Sequence, residues 1–134
     1  MAALQTPEEI RAYFDRDRYA KISGIVIEEV SPGHAVCTME IRDIHRNAEN
    51  GVMGGAIFTL VDLAAAAAAS GIHMPTVAQQ VSISFLSNSR GTRLTASAEC
   101  RKDGKTTAVY NVNVTDDLGR DIAQAVVTGY KLNR

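Results

Sequence analysis

Asn50 to Gly71 reads NGVMGGAIFTLVDLAAAAAASG. After two glycines it is apolar for most of its length. The pattern predicts a helix from about Gly54 to Ser70, with Gly71 as its C-cap. Such a helix has hardly a polar face and is expected to be buried all round. Residues 64 to 69 are all Ala, so its backbone can approach its neighbours closely. That bareness leaves an unfilled face unless a second subunit or a ligand covers it. One carboxylate interrupts the apolar run. Asp62 has Phe58, Thr59, Ala65 and Ala66 as helical neighbours, and none is a charge partner. Burial without a partner pushes a carboxyl pKa upward, which suits a general base or a nucleophile. The alternative is an acid bonded to a loop or to solvent at a subunit seam.

Outward from this helix, the flanks supply a sheet. Thr6-Pro7-Glu8-Glu9 is a helix start, with Thr as N-cap and Pro at the first position. This first helix is expected to end before Ser23-Gly24. Ile25, Ile27 and Val30 precede a turn at Ser31-Pro32-Gly33, and Ala35, Cys37, Met39 and Ile41 alternate with Val36, Thr38 and Glu40 after it. Residues 42 to 53 have no clear period and read as a loop. Beyond the long helix four strands follow. Their apolar faces are Val77, Val81, Ile83 and Phe85; then Leu94, Ala96, Ala98 and Cys100; then Ala108, Tyr110, Val112 and Val114; and last Ile122, Val126 and Tyr130. The expected fold is α+β, one domain over residues 1–134, with an antiparallel sheet wrapped around one long buried helix.

The 134 residues suffice for one core. A net charge of −1 leaves no electrostatic footprint for nucleic acid, and no Lys/Arg block marks a membrane surface. The N-terminal stretch mixes acids and bases without a continuous apolar region, which argues against a signal peptide. The Ala-rich helix falls short of the ~20 apolar residues a membrane span needs. The cytoplasm is therefore the expected location. Cys37 and Cys100 lie far apart at apolar strand positions and read as buried free thiols. No metal-ligand spacing is present, and no metal or redox cofactor is expected.

A helix N-terminus offers unpaired N–H groups at a positive dipole end, and glycines there let a substrate carbonyl come close. Gly54-Gly55 is therefore a candidate oxyanion site; the alternative is a pair that only permits a tight turn. Asp62 lies eight residues after Gly54, or ~12 Å along the helix. One reacting carbon needs both groups at ~3 Å scale. Two such helices, antiparallel about a two-fold axis, would bring Gly54 of one chain to Asp62 of the other. Asn47 can donate or accept in that seam, or it can bond its own loop. His45 reads as a loop-packing histidine, and His34 and His73 as exposed. Arg90, Arg93, Arg101, Lys102 and Lys105 are either phosphate contacts or solvated strand-end charges.

These elements resemble the hotdog-fold acyl-CoA thioesterases, in particular the PaaI-like branch of phenylacetate-pathway thioesterases. Their signature is roughly H-x-N-x-x-G-x-x-H-G-G followed by a helix containing L-x-D. Here it reads His45-Arg46-Asn47-Ala48-Glu49-Asn50-Gly51-Val52-Met53-Gly54-Gly55, then Leu60-Val61-Asp62. The resemblance implies that Asp62 attacks the thioester or activates water. It implies that the Gly54 N–H points at the carbonyl and that Asn47 helps to position water or substrate. Met53, Gly55, Phe58, Ala78 and Gln79 are then the expected substrate contacts. Met53 stands where the family usually has His, and Ala78 where it often has a small hydroxyl residue. The expected partners are an acyl-CoA substrate and further copies of the chain, as a homodimer assembling to a homotetramer. Two other readings remain open: a non-catalytic acyl-CoA-binding hotdog module, and a hotdog hydratase or dehydratase, whose motifs are absent.

Overall fold

The computed structural model describes residues 3–133. Two short helices, α1 (Pro7–Phe14) and α2 (Arg18–Ile22), open the chain. A hairpin of β1 (Ile25–Ser31) and β2 (His34–Glu40) follows, then a loop carrying one 3-10 turn at Asp43–His45. The long helix is α3 (Gly54–Ser70). The strands β3 (Thr76–Phe85), β4 (Arg93–Asp103), β5 (Thr107–Asp116) and β6 (Asp121–Lys131) complete the chain. All six strands pair antiparallel in one sheet, in the order β1-β2-β4-β5-β6-β3. One face of the sheet closes on α3. Met39, Leu60, Val61, Leu94, Tyr110, Val112 and Ile122 are fully buried between them.

The N-terminal cap is as expected: Thr6 Oγ1 accepts the Glu9 N–H at 3.1 Å, with Pro7 in the first turn. The expected single helix is instead two. Asp17 leaves the helical region (φ −81°, ψ 89°), and the polar run Asp15-Arg16-Asp17 forms the corner between α1 and α2. At the other end of α3, Gly71 is the C-cap but keeps right-handed helical geometry. Its requirement is space, since a Cβ there would lie 3.0 Å from Pro32 Cα.

Bulges revise two of the expected strand faces. In β3 the register slips between Ala78 and Gln80. Ala78 pairs with buried Gly129 and joins the row of Val81, Ile83 and Phe85, while Val77 pairs with Tyr130 on the opposite face. In β6 the slip opposite Val114 and Thr115 buries Ile122 and Ala123 in succession. The inner row then continues as Ala125 and Val127, and Val126 and Tyr130 face outward. A bulge changes the phase of every residue beyond it, so strict alternation misassigns them.

The histidines and thiols also differ from expectation. His34 is half-buried and pairs with Glu99 (Nδ1···Oε1 2.6 Å), and His73 is half-buried with its Nδ1 enclosed. Both thiols are free. Cys37 is buried, and burial, then the Glu28 charge, push it up to about 12; Cys100 is only half-buried. No helix among the described residues is long and apolar enough to cross a membrane.

Candidate active site

The approach to α3 is held by His45 and Asn47. His45 is buried; its Nδ1 accepts the Arg42 N–H at 3.0 Å and its Nε2 lies 2.9 Å from the Ser23 carbonyl. This pairing assigns the proton to Nε2, which donates to Ser23. Burial is the main cause lowering its pKa; the Ser23 carbonyl opposes this and the Arg42 and Arg46 charges add to it. His45 is thus a neutral staple with both ring nitrogens spent. The Asn47 Oδ1 accepts the N–H groups of Glu49 (3.0 Å) and Gly51 (2.9 Å). That oxygen closes its own loop, and the Asn47 amide N–H₂ makes no hydrogen bond among the described residues.

The loop delivers the chain to α3 with two donors free. The Met53 N–H is not one of them, because it donates to the His45 carbonyl at 2.7 Å. Met53 occupies the N-cap position without a side-chain cap, and its carbonyl accepts from Ala56 (3.0 Å) and Ile57 (3.3 Å). The N–H groups of Gly54 and Gly55 have no acceptor among the described residues. Ser, Thr, Asp or Asn at the cap would compete for such donors. Met53, with an apolar side chain, leaves the positive end of the helix open. Phe85 packs against Gly54 so closely that a Cβ at 54 would lie 3.1 Å from its Cζ. Asn47 and Gly54 line one cleft, walled by Val52, Ile57, Phe85 and Leu86.

Asp62 lines another. Contrary to the expected all-round burial, α3 leaves a stripe open in the single chain: Gly55, Phe58 and Asp62 are exposed at helical spacing. The inner edge of this stripe borders a narrow cleft between α3 and β3, lined by Asp62, Ala66, Ala69, Thr76, Ala78 and Tyr110. No cation lies within 4.0 Å of Asp62 among the described residues. Although Asp62 is exposed, the apolar helix and strand around it desolvate the carboxyl enough to push its pKa up, and the Asp17 charge adds to the rise. No group of three or more His, Cys, Asp or Glu residues among those described is placed to hold a metal ion.

The expected residues therefore fall into two sets. Asn47 and Gly54 share one cleft; Asp62 and Ala78 share the other, where the β3 bulge aims Ala78. Gly55, Phe58 and Met53 lie exposed beside them, and Gln79, the bulged residue, lines neither cleft. Phe85 and Tyr110 are additional walls. Their strand faces were legible in the sequence, but their contact with the clefts follows from the sheet order, which has no local signature.

Comparison with known proteins places the chain by family and fold. Residues 50–123 match the thioesterase superfamily model. The chain is 32% identical over 117 residues to the acyl-coenzyme A thioesterase PaaI of Escherichia coli, covering 87% of this chain and 84% of that protein. It is 30% identical to human acyl-coenzyme A thioesterase 13 over 122 residues, 87% of each chain. The solved E. coli PaaI structure superposes with a TM-score of 0.87, covering 91% of this chain and 89% of that one, at 30% identity. A Streptococcus pneumoniae thioesterase solved with coenzyme A gives 0.82 at 27% identity, covering 90% of this chain and 98% of that one. A six-stranded antiparallel sheet closed on one long helix, with these likenesses along nearly its whole length, makes the chain a hotdog-fold member of the thioesterase superfamily.

Proposed function

We propose that this protein hydrolyses the thioester of an aryl- or fatty-acyl-CoA, at sites shared between two copies of the chain. The observation that carries this reading is the division of the candidate residues. Gly54 and Asp62 sit on one unbroken helix, ~12 Å apart along it, and face different clefts. Each cleft lacks what the other has. A two-fold axis that sets two α3 helices antiparallel unites Gly54 of one protomer with Asp62 of the partner subunit, twice per dimer.

The sheet edges support such a dimer. The β1 edge is guarded: Arg11 donates to the carbonyls of Ile27 and Glu28, both at 2.9 Å, and a bulge interrupts the strand. The β3 edge is 10 residues long and carries no charged residue and no proline. An unguarded edge of this kind is a template for another strand. Pairing β3 with its own copy covers the open stripe of α3. Further pairing of dimers gives the expected homotetramer.

In this site the thioester carbonyl accepts from the free N–H groups at the start of α3, which stabilise the oxyanion as it forms. Asp62 of the partner subunit acts as general base or as nucleophile. As base it takes a proton from water, and the water oxygen adds to the carbonyl carbon. The C–S bond then breaks and coenzyme A leaves as the thiolate, which takes up a proton. As nucleophile the carboxylate first displaces the thiolate, and water then cleaves the resulting anhydride. Both routes give free acid and coenzyme A. The Asn47 amide N–H₂ is free to orient the acyl group or the water.

A thiol-release assay over arylacetyl-, aroyl- and medium- and long-chain fatty acyl-CoAs tests the reading. Turnover of at least one class is expected. Tight binding with no release across the panel overturns it in favour of a binding module.

A further inference from the structure

We propose that Asn88 is a substrate-binding residue of the Gly54 cleft, where its carboxamide hydrogen-bonds an amide in the thiol arm of acyl-CoA. This rests on the reading of that cleft as the place where the thioester carbonyl meets the start of α3. Asn88 lies in the loop between β3 and β4 and lines the same cleft as Asn47, Gly54 and Phe85. Its carboxamide lies against Gly51, where a Cβ would sit 3.0 Å from its Oδ1 and 3.2 Å from its Nδ2. The Gly51 N–H is itself held by the Asn47 Oδ1 at 2.9 Å. Two carboxamides, one from each loop, therefore meet Gly51 at this cleft.

The loop that carries Asn88 is pinned on both sides of it. The Leu86 N–H donates to the Ile122 carbonyl at 2.7 Å, and the Ser87 hydroxyl donates to the Asp121 carbonyl. The buried Ser89 hydroxyl donates to the Asp116 Oδ2 at 2.7 Å and accepts the Gly91 N–H at 3.0 Å. The hydroxyls on either side are thus spent on residues flanking the β5–β6 turn. Asn88 makes no side-chain hydrogen bond to a described residue. An exposed asparagine on a loose loop needs no ligand. This one is held between two fixed neighbours with its donors and acceptor unpaired, so little ordering entropy is left to lose when a partner binds.

The chemistry of the cleft selects that partner. Its walls are apolar at Val52, Ile57, Phe85 and Leu86, and its polar side chains are carboxamides, hydroxyls and one carboxylate, Glu49. With no cation among the described residues that line it, the cleft offers nothing to the phosphates of coenzyme A. It suits a neutral chain that is part apolar and part amide. The thiol arm is such a chain: its methylene groups carry two secondary amides, the first of them two carbons from the sulfur. A thioester carbonyl placed at the Gly54 N–H brings that first amide into the same cleft. A secondary amide has one donor and one acceptor, and a carboxamide side chain can answer either.

The test compares two thioesters of one acyl group, on coenzyme A and on mercaptoethanol, which has no amide. Asn88→Leu keeps nearly the same size and removes every side-chain hydrogen bond. The position is exposed, so the fold is expected to persist, and thermal unfolding checks this; Asn88→Ala serves if the leucine variant does not fold. For the acyl-CoA, Asn88→Leu is expected to lower kcat/KM by about three- to tenfold, chiefly through KM, the scale of one lost hydrogen bond. Asn88→Gln should restore part of the loss. For the mercaptoethanol thioester, wild type and variant are expected to be equal. A loss shared by both thioesters marks a packing role and overturns the proposal, as does an unchanged kcat/KM for the acyl-CoA. Calorimetry reads the same contact without turnover. Free coenzyme A should bind Asn88→Leu more weakly by a similar factor, and the nucleotide portion of coenzyme A alone should bind both proteins equally. Equal affinity of the two proteins for coenzyme A overturns the proposal. Failure of the hydrolytic reading shows instead as absent thiol release with the difference in coenzyme A affinity intact.

Discussion

Asp62 sits where a carboxylate is expensive. Desolvation first, and repulsion from Asp17 second, raise its pKa in the folded chain. A raised carboxyl pKa means that the unfolded chain ionises more readily. Asp62 therefore disfavours folding as pH rises past its unfolded value, and the folded protein retains the cost at neutral pH. Asp62→Asn removes the charge without changing the shape. Its melting temperature is expected to equal or exceed that of the wild type, while turnover falls by roughly 10²-fold or more, the scale of a lost acid–base group. In the wild type kcat/KM should decline as pH falls through the raised Asp62 value, above the range of an ordinary aspartate. Thermal unfolding and thiol release on the same preparation check the pair. Retained turnover within about threefold removes Asp62 from the mechanism. A second acid, Asp116, shows the opposite economy. It is buried, and desolvation alone would raise it. Hydrogen bonds from the Arg120 N–H (2.9 Å), the Ser89 hydroxyl (2.7 Å) and the Leu118 N–H (3.0 Å) outweigh that and hold it low. A lowered carboxyl stabilises the fold above its unfolded value and loses that contribution as pH falls through the folded one. Asp116→Ala leaves three donors stranded and should cost about 1–3 kcal/mol by denaturant unfolding at pH 7. The deficit should shrink in acid, where the wild type also loses the bonds.

At the scale of elements, β3 carries a conflict between being an edge and being part of a site. Its outward residues Ser82 and Ser84 and its inward residues Val81 and Ile83 contain nothing that repels a second strand. Ser82→Lys places a charge at an exposed position, where two copies meeting about a two-fold axis would oppose each other. The variant is expected to sediment as a folded monomer and to lose thiol release, since neither cleft is complete alone. An active monomer would contradict the shared site. The same strand shows where sequence reading stops. Alternation located β2, β4 and β5 correctly because each keeps one phase throughout its buried part. The α3 helix was legible to the residue at both ends, from the glycine pair and from Gly71. The bulges in β3 and β6 were not legible, because a bulge is fixed by the pairing partner, and the partner of β3 is β6 rather than its chain neighbour β4. The site divides in the same way. Gly54, Asn47 and Asp62 stood out by local spacing. Phe85 and Tyr110 did not, because only the sheet order brings them to the clefts. The Met53 N–H also lay beyond reach: a loop with no period gives no sign that His45 will take it.

At the scale of the whole molecule, the shared site makes a prediction that no single-chain site makes. One protomer can be disabled at Asp62 and another at the start of α3, and the two defects should complement. Gly54→Pro deletes the N–H itself, and proline at the first helical position keeps the backbone geometry. Its ring would meet Phe85, whose Cζ already lies 3.1 Å from a Cβ at that position. Should Gly54→Pro alone fail to fold, the change is made together with Phe85→Ala and compared with Phe85→Ala. In a mixed dimer, one site joins the intact Gly54 of the Asp62→Asn chain to the intact Asp62 of the Gly54→Pro chain. The other site carries both defects. Statistical exchange of equal amounts makes half of the dimers mixed, so about one quarter of all sites regain both groups. Thiol release from two nearly dead preparations should therefore rise on co-refolding to about one quarter of the value set by the undamaged parent. Native mass spectrometry of differently tagged chains confirms that mixed dimers are present. A site contained within one chain has no such route to recovery, because every chain in the mixture carries a lesion. Mixed dimers that are folded and remain inactive would place Gly54 and Asp62 outside a common site.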